Sequence, residues 1–275
     1  MTKDNNLNDI TVIIPVHNVV EGDFEKYFEA AIKSLHESTV KPEEILIVHC
    51  DCPGVKEWLD AYENFGDLNI TMYENKVGPS FQVQINEGVK QIKTKWFSIL
   101  EIDDEYSKIW FKNVKEYIDS YTDVDVFLPI VVDVNEKGEF LNFTNEALWA
   151  MSFTDKLGYL DNNALLQYQN FQSSGMVIKK DTFEEVGGFK DNVLLTFIYE
   201  FFLRATYNDV QILTVPKLGY KHTNMRMESL FWTYRFKENH KIEAENAKFW
   251  VDTAKKEYFF KEDRAINFVP QGVQA

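Results

Sequence analysis

The stretch WFSILEIDDEYSKIW, Trp96 to Trp110, passes from an apolar segment straight into acids at Glu101, Asp103, Asp104 and Glu105. Carboxylates this close raise one another's pKa by repulsion unless a cation or hydrogen-bond donors stand between them. Two readings follow. The acids sit at the carboxyl end of a strand and converge on a divalent cation, whose hard character suits oxygen ligands. Alternatively, they form the N-cap and first turn of a helix beginning near Ser107, where the helix dipole favours negative charge.

The segments before this stretch decide what kind of strand it ends. ITVIIPV (10–16), EILIVHC (44–50), NITMYEN (69–75) and KWFSILEI (95–102) are short and apolar. Between them lie FEKYFEAAIKSLHES (24–38), VKEWLDAYENF (55–65) and SFQVQINEGVKQI (80–92), each with helical spacing of its apolar residues. Strands apolar on both faces and separated by helices predict βαβ units and a mainly parallel central sheet covered by helices on both faces. In such α/β sheets ligands gather at the carboxyl ends of the strands, which is where Glu101, Asp103 and Asp104 fall.

The second half reads as mixed. VDVFLPIVVDV (124–134), a turn at Asn135 to Gly138 and EFLNF (139–143) predict a hairpin. SGMVIKK (174–180) predicts a strand, DTFEEVG (181–187) a short helix with Asp181 as N-cap, and TFIYEFFLRATYN (196–208) a buried helix. VQILTVP (210–216) predicts a strand closed by Pro216, and beyond His222 the pattern turns helical and polar to about residue 258. With no linker rich in Gly, Pro or Ser and no repeat, the simplest division is a domain over 1–225 and a C-terminal helical extension over 226–275 packed on it.

Composition narrows the function classes. A chain of 275 residues that is 45% hydrophobic can bury a large core. Its net charge of -15, from 44 acidic and 29 basic residues, disfavours nucleic acid and anionic lipid as partners. No apolar run is long enough to span a bilayer and the start MTKDNNLNDI is polar, so the expectation is a soluble, cytoplasmic protein with no membrane span. Cys50 and Cys52 flank a single residue, too close for an ordinary disulfide, and provide half a metal site at best.

Taken together, VIIPVHN (12–18), YENKVGPSFQVQINEG (73–88), SILEIDDE (98–105) and GMVIKKDTFEEVGGFKD (175–191) resemble, in order and spacing, the family 2 glycosyltransferases with a GT-A fold, over roughly residues 10–222. The resemblance implies a metal-dependent, hexosyltransferase-like enzyme that moves a sugar from a nucleoside-diphosphate sugar donor to an acceptor hydroxyl with inversion. It places Pro15, His17 and Asn18, and then Asn75 and Gly78, near the nucleotide. The family's metal motif falls on Glu101, Asp103 and Asp104, with Glu in place of its first Asp, and implies Mn²⁺ or Mg²⁺ with His222 as a further ligand. Its Gly-Gly-Phe acceptor segment falls on Gly187, Gly188 and Phe189.

Two departures fall on functional positions. Where the family has acids that contact base and ribose, VHCDCPG offers Asp51 after a shift. The family's catalytic Glu-Asp pair falls on Phe197 and Ile198, counted back from Arg204, and neither can accept a proton. The nearest carboxylates are Asp191 and Glu200, which are the candidates for the general base. Glu200 also stands four residues before Arg204, the spacing of a helical ion pair. Two other functions remain open: a binding or assembly module that has lost its base, and a sugar-phosphate nucleotidyltransferase. An exposed aromatic patch from SLFWTYRFKENH and AKFWVDTAKKEYFF favours the module, whereas packing of those aromatics on the core does not.

Overall fold

Alternate residues of the first strand serve two different cores. Ile10, Val12, Ile14 and Val16 pack with Phe24, Phe28, Ile32 and Leu35 of the first helix, whereas Ile13 packs on the other face with Phe81, Ile85 and Val89 of the third. Successive strand side chains point to opposite faces, so a strand covered on both sides is apolar throughout. The computed structural model describes residues 6–16, 24–50, 54–146, 156–224 and 244–266.

The first half alternates as β1 (Asn6–Val16), α1 (Phe24–Glu37), β2 (Lys41–His49), α2 (Val55–Ala61), β3 (Ile70–Glu74), α3 (Phe81–Gln91) and β4 (Trp96–Ile99). There follow β5 (Glu105–Tyr106), α4 (Trp110–Ser120), β6 (Val126–Val134), β7 (Phe140–Thr144), β8 (Tyr159–Leu160), α5 (Asn162–Gln167), β9 (Val177–Lys179), α6 (Lys180–Val186), α7 (Phe197–Tyr207), β10 (Ile212–Thr223) and α8 (Ala244–Glu257). All the described strands join one sheet in the order β3-β2-β1-β4-β9-β6-β10-β5, with β7 on β6 and β8 on β10.

Strands β3, β2, β1 and β4 are mutually parallel. The short β9 is antiparallel to both β4 and β6, so β6 and its parallel neighbour β10 run in the same sense as β4. The expected mainly parallel α/β sheet is therefore present, with antiparallel pairs confined to β5, β7, β8 and β9. Gly88 fixes how closely α3 approaches it: a Cβ there would lie 2.8 Å from Val48 Cγ2 and 3.2 Å from Ile13 Cγ2.

Three local expectations need correction. β10 does not close at Pro216 but runs on to Thr223, because register shifts between Val215 and Leu218 and between Leu218 and Tyr220 take up the residue that cannot donate to the ladder. Helix α6 begins one residue before Asp181, with Lys179 at the N-cap, so Asp181 is a first-turn acid. Helix α4 begins at Trp110 with Ile109 as its N-cap, and Asp103 and Asp104 therefore lie outside its first turn.

The C-terminal helix α8 lies against α7. Trp250 and Tyr258 are buried in the same core cluster as α7, and the Thr196 hydroxyl donates to Trp250 O at 2.7 Å. Phe259 and Phe260 are exposed, and Phe259 stacks edge-on against Tyr207. The segment SLFWTYRFKENH lies outside the described residues. No helix among the described residues is long and apolar enough to cross a membrane.

Candidate active site at the carboxyl edge of the sheet

Beyond β4, the Leu100 N–H still bonds Ile13 O at 3.0 Å, and a turn closed by Asp104 N–H to Glu101 O at 3.1 Å then carries the chain to the free edge of β10, where β5 pairs with Tyr220 and Lys221. This crossing places the acids over the end of β10. Ligand atoms of Glu101, Asp104 and His222 all lie within 4.8 Å of one another. Asp104 is fully buried, and its carboxylate accepts from the Thr223 N–H at 2.8 Å and faces His222 Nδ1 at 3.0 and 3.2 Å. The peptide N–H of Glu101 donates to the Tyr220 hydroxyl at 3.0 Å.

Burial alone would lower the pKa of the His222 imidazole, but the Asp104 carboxylate against it, with Glu101 and Asp103 nearby, outweighs that and pushes it up to about 10. In the absence of other cations the imidazolium thus supplies the positive charge that the close acids demand. Tyr106 and Tyr220, enclosed beneath the acids, are pushed far above the usual phenol range by burial, Asp104 adding to both. They are hydroxyl partners here and not acids.

Two carboxylates and an imidazole are a donor set suited to Mn²⁺ or Mg²⁺. The three ligand atoms lie close enough together, all within 4.8 Å of one another, for one cation to meet them. Asp103 is not one of the three: it is half-buried, and its carbonyl accepts from the Thr223 hydroxyl at 2.7 Å. Its charge nevertheless acts on His222.

Of the nucleotide candidates, Pro15 is buried within β1, where it pairs with Val48. Asn75 is buried and builds the loop after β3, its Oδ1 accepting from Val77 N–H at 3.0 Å and Gly78 N–H at 3.1 Å. His17, Asn18 and Asp51 lie outside the described residues.

The two candidate bases part company. Glu200 has no exposed surface; Arg204 Nε and Nη2 each donate to its carboxylate at 2.9 Å and Lys190 Nζ stands 3.2 Å away. Arg204 also donates to Val186 O and Gly188 O, and Lys190 to Glu257 O, so the cluster ties α7 to the Gly187–Gly188 turn and to the end of α8. For Glu200, one of the two expected bases, this is the setting of a structural ion cluster: an enclosed carboxylate held by two cations. Asp191 is exposed; its Oδ1 accepts from the Ser80 hydroxyl at the start of α3 and its N–H donates to Asp263 at 3.2 Å. Phe197 and Ile198, at the family's acid positions, pack into the core.

One acid escaped the sequence reading. Asp133, next to last in β6 and in register with His222, is almost wholly buried, and is shifted upward by that burial, with His222 and Gln172 pulling the other way. Its signal was the lone acid near the end of the apolar run VFLPIVVDV.

The fold, with its helix-covered and mainly parallel sheet, is of the GT-A type. A family model described as glycosyl transferase family 2 matches residues 11–187, well over half of the chain, and the chain belongs to that family. It is 29% identical over 140 residues to the minor teichoic acid biosynthesis protein GgaB of Bacillus subtilis (strain 168), a match that covers 48% of this chain and 14% of that protein. The structure resembles that of S. aureus TarS 1-349 in complex with UDP-GlcNAc, with a TM-score of 0.59 at 16% identity over 81% of this chain and 60% of that one. It also resembles the mannosyltransferase PcManGT from Pyrobaculum calidifontis in complex with GDP-Man and Mn²⁺, with a TM-score of 0.56 at 14% identity over 80% of this chain and 58% of that one.

Proposed function

We propose that this protein transfers a sugar from a nucleoside-diphosphate sugar to an acceptor hydroxyl with inversion, assisted by Mn²⁺ or Mg²⁺. The observation that carries this reading is the convergence of Glu101, Asp104 and His222 at the carboxyl edge of the sheet. A cation held there supplies positive charge to the leaving diphosphate. Asp104 orients His222 through Nδ1, Asp103 adds negative charge beside it, and the loop that Asn75 builds up to Gly78 is the candidate contact for the nucleotide, to which the family resemblance adds Pro15, His17, Asn18 and Asp51. The nucleotide-sugar complexes of the structural relatives favour such a donor, and the match to a teichoic acid biosynthesis protein favours an acceptor of that type.

In the transfer the acceptor oxygen attacks the anomeric carbon, the bond from that carbon to the diphosphate oxygen breaks, and the hydroxyl proton passes to a base. Asp191 is the base in this reading, because it is the one of the two candidates with exposed surface. The experiment is Mn²⁺-dependent release of UDP from UDP-GlcNAc, or of GDP from GDP-mannose, by the full chain. Release that requires the cation and is lost on removal of His222 supports the reading; cation-independent binding with no release from either donor sinks it. That second outcome belongs to the alternative of a non-catalytic binding module, favoured by Phe197 and Ile198 at the family's acid positions and by the enclosure of Glu200.

A further inference from the structure

One hydroxyl joins the start of α3 to the candidate base. Ser80 is the N-cap of α3, and its oxygen accepts from the Val83 N–H at 3.2 Å. The same hydroxyl donates to Asp191 Oδ1 at 2.5 Å, across 111 positions of chain. A serine hydroxyl has one proton to give and lone pairs to accept with, so both bonds form at once. Capping fixes the hydroxyl at the helix start, and the carboxylate is held to that place. Ser80 also follows closely on the Asn75–Gly78 loop, and Gln84 Nε2 of the same helix donates to Pro79 O at 3.2 Å. Asp191 is therefore anchored beside the loop proposed above for the nucleotide.

The backbone that carries Asp191 is fixed by other groups. Asn86 brackets Phe189: its Oδ1 accepts from the Phe189 N–H at 2.9 Å and its Nδ2 donates to Phe189 O at 2.7 Å. Gly188 is left-handed at φ 68, and a Cβ there would lie 2.7 Å from Asn86 Oδ1. Arg204 Nη2 donates to Gly188 O at 2.7 Å, and Asn192 Nδ2 donates to Arg264 O. With the chain held on both sides, the direction of the exposed Asp191 side chain is what remains to be set. The neighbouring Lys190 ammonium does not set it, being turned inward to Glu200 and Glu257 O. Among the described residues the Ser80 hydroxyl is the one hydrogen-bond donor to the Asp191 carboxylate.

An exposed aspartate has several rotamers open to it, whereas a base that must meet a hydroxyl attacking in line is effective from few of them. We propose that Ser80 is a positioning residue for the transfer. By holding Oδ1 it keeps the Asp191 carboxylate in one orientation and leaves Oδ2 to take the proton of the acceptor hydroxyl, while the proton of Ser80 stays on Ser80. A helix cap uses only the oxygen of the hydroxyl; the bond to Asp191 uses its proton, so the two roles are separable by chemistry. The proposal rests on Asp191 as the base of the glycosyltransferase reading.

Three substitutions in the full chain make the test. Thr caps a helix and donates; Asp caps it as well but, when ionised, only accepts; Ala does neither. Turnover is single-turnover release of UDP from UDP-GlcNAc, or of GDP from GDP-mannose, with Mn²⁺ and with glycerol as the hydroxyl probe. Ser80→Thr is expected to keep both stability and turnover. Ser80→Asp keeps a denaturation midpoint near that of the wild type and Ser80→Ala does not, yet both lower turnover by about 10- to 100-fold, the effect of one hydrogen bond to a charged group. Donor affinity of Ser80→Ala, read by calorimetry, stays near that of the wild type. In an Asp191→Asn background Ser80→Ala has no further effect, because it acts through Asp191. The proposal is overturned if Ser80→Ala or Ser80→Asp turns over at the full rate, if the loss lies in donor affinity, or if the effects of Ser80→Ala and Asp191→Asn multiply. Failure of the reading beneath it looks different. No release by the wild type removes the transfer, and Asp191→Asn at full rate removes the base, each taking the proposal with it; a slow Asp191→Asn beside a full-rate Ser80→Ala removes the proposal alone.

Discussion

Nδ1 of His222 stands 3.0 Å from Oδ2 of Asp104, a residue 118 positions earlier in the chain. The contact joins the end of β10 to the turn that follows β4, and Asp104 is fully buried. A His whose one nitrogen is fixed by a carboxylate presents the other in a set direction, the arrangement that tunes metal-bound imidazoles.

From this contact, His222→Ala is expected to lower Mn²⁺ affinity, and Asp104→Asn to lower it by about 10- to 100-fold through loss of orientation and charge. Electron paramagnetic resonance of free Mn²⁺ in a titration measures both. Full affinity in the two variants would remove the cluster from consideration as a cation site.

Chelation should abolish nucleotide-dependent activity and leave the fold intact. The reason is that the buried Asp104 carboxylate already has the His222 ring and the Thr223 N–H as partners within the protein. Thermal melts with and without EDTA test this; a large drop in melting temperature would mean that the ion is structural.

Glu200→Gln is expected to act on stability. Removing one member of a buried ion cluster leaves Arg204 and Lys190 enclosed without their counter-charge, a cost of about 3–5 kcal/mol. Chemical denaturation measures it. A variant as stable as the wild type but without turnover would return Glu200 to the catalytic machinery.

Asp191→Asn is expected to lower turnover by about 10²- to 10⁴-fold with donor binding nearly unchanged, as for loss of a general base. Asp263→Ala, which removes the acceptor of the Asp191 N–H, should have a much smaller effect. Single-turnover kinetics with a saturating donor separates the two; an Asp191→Asn enzyme at full rate ends the assignment.

Gly88→Ala should destabilise by about 1–3 kcal/mol, because its methyl would press on Val48 and Ile13 between α3 and the sheet. Denaturation midpoints provide the check, and a neutral result would show that α3 can move outward at little cost.

The architecture was legible in the sequence because it is written in short-range pattern. Period 2 and both-face apolar runs marked β1 to β4 and β6, helical spacing marked α1, α3 and α7, and Asn135 to Gly138 marked the hairpin turn. These signals depend on neighbours a few positions away, so each segment carries its own. Pro216 misled because a local breaker was absorbed by a bulge that only pairing with β6 makes favourable.

The site was legible only as a place. That acids gather at the end of β4 follows from the local run Glu101 to Glu105; that Glu101 and Asp104, without Asp103, meet His222 depends on how the crossing to β10 is folded. Glu200 looked like a possible base or half of an ion pair, and burial decided between them, because an enclosed carboxylate must be matched by charge and Lys190 and Arg204 converge on it from different segments. Asp133 showed only as an acid after an apolar run, and it gained meaning from the register that sets it beside His222. Local periodicity is fixed by covalent neighbours, whereas ligand sets and buried charge pairs are fixed by which distant segments the packed core brings together.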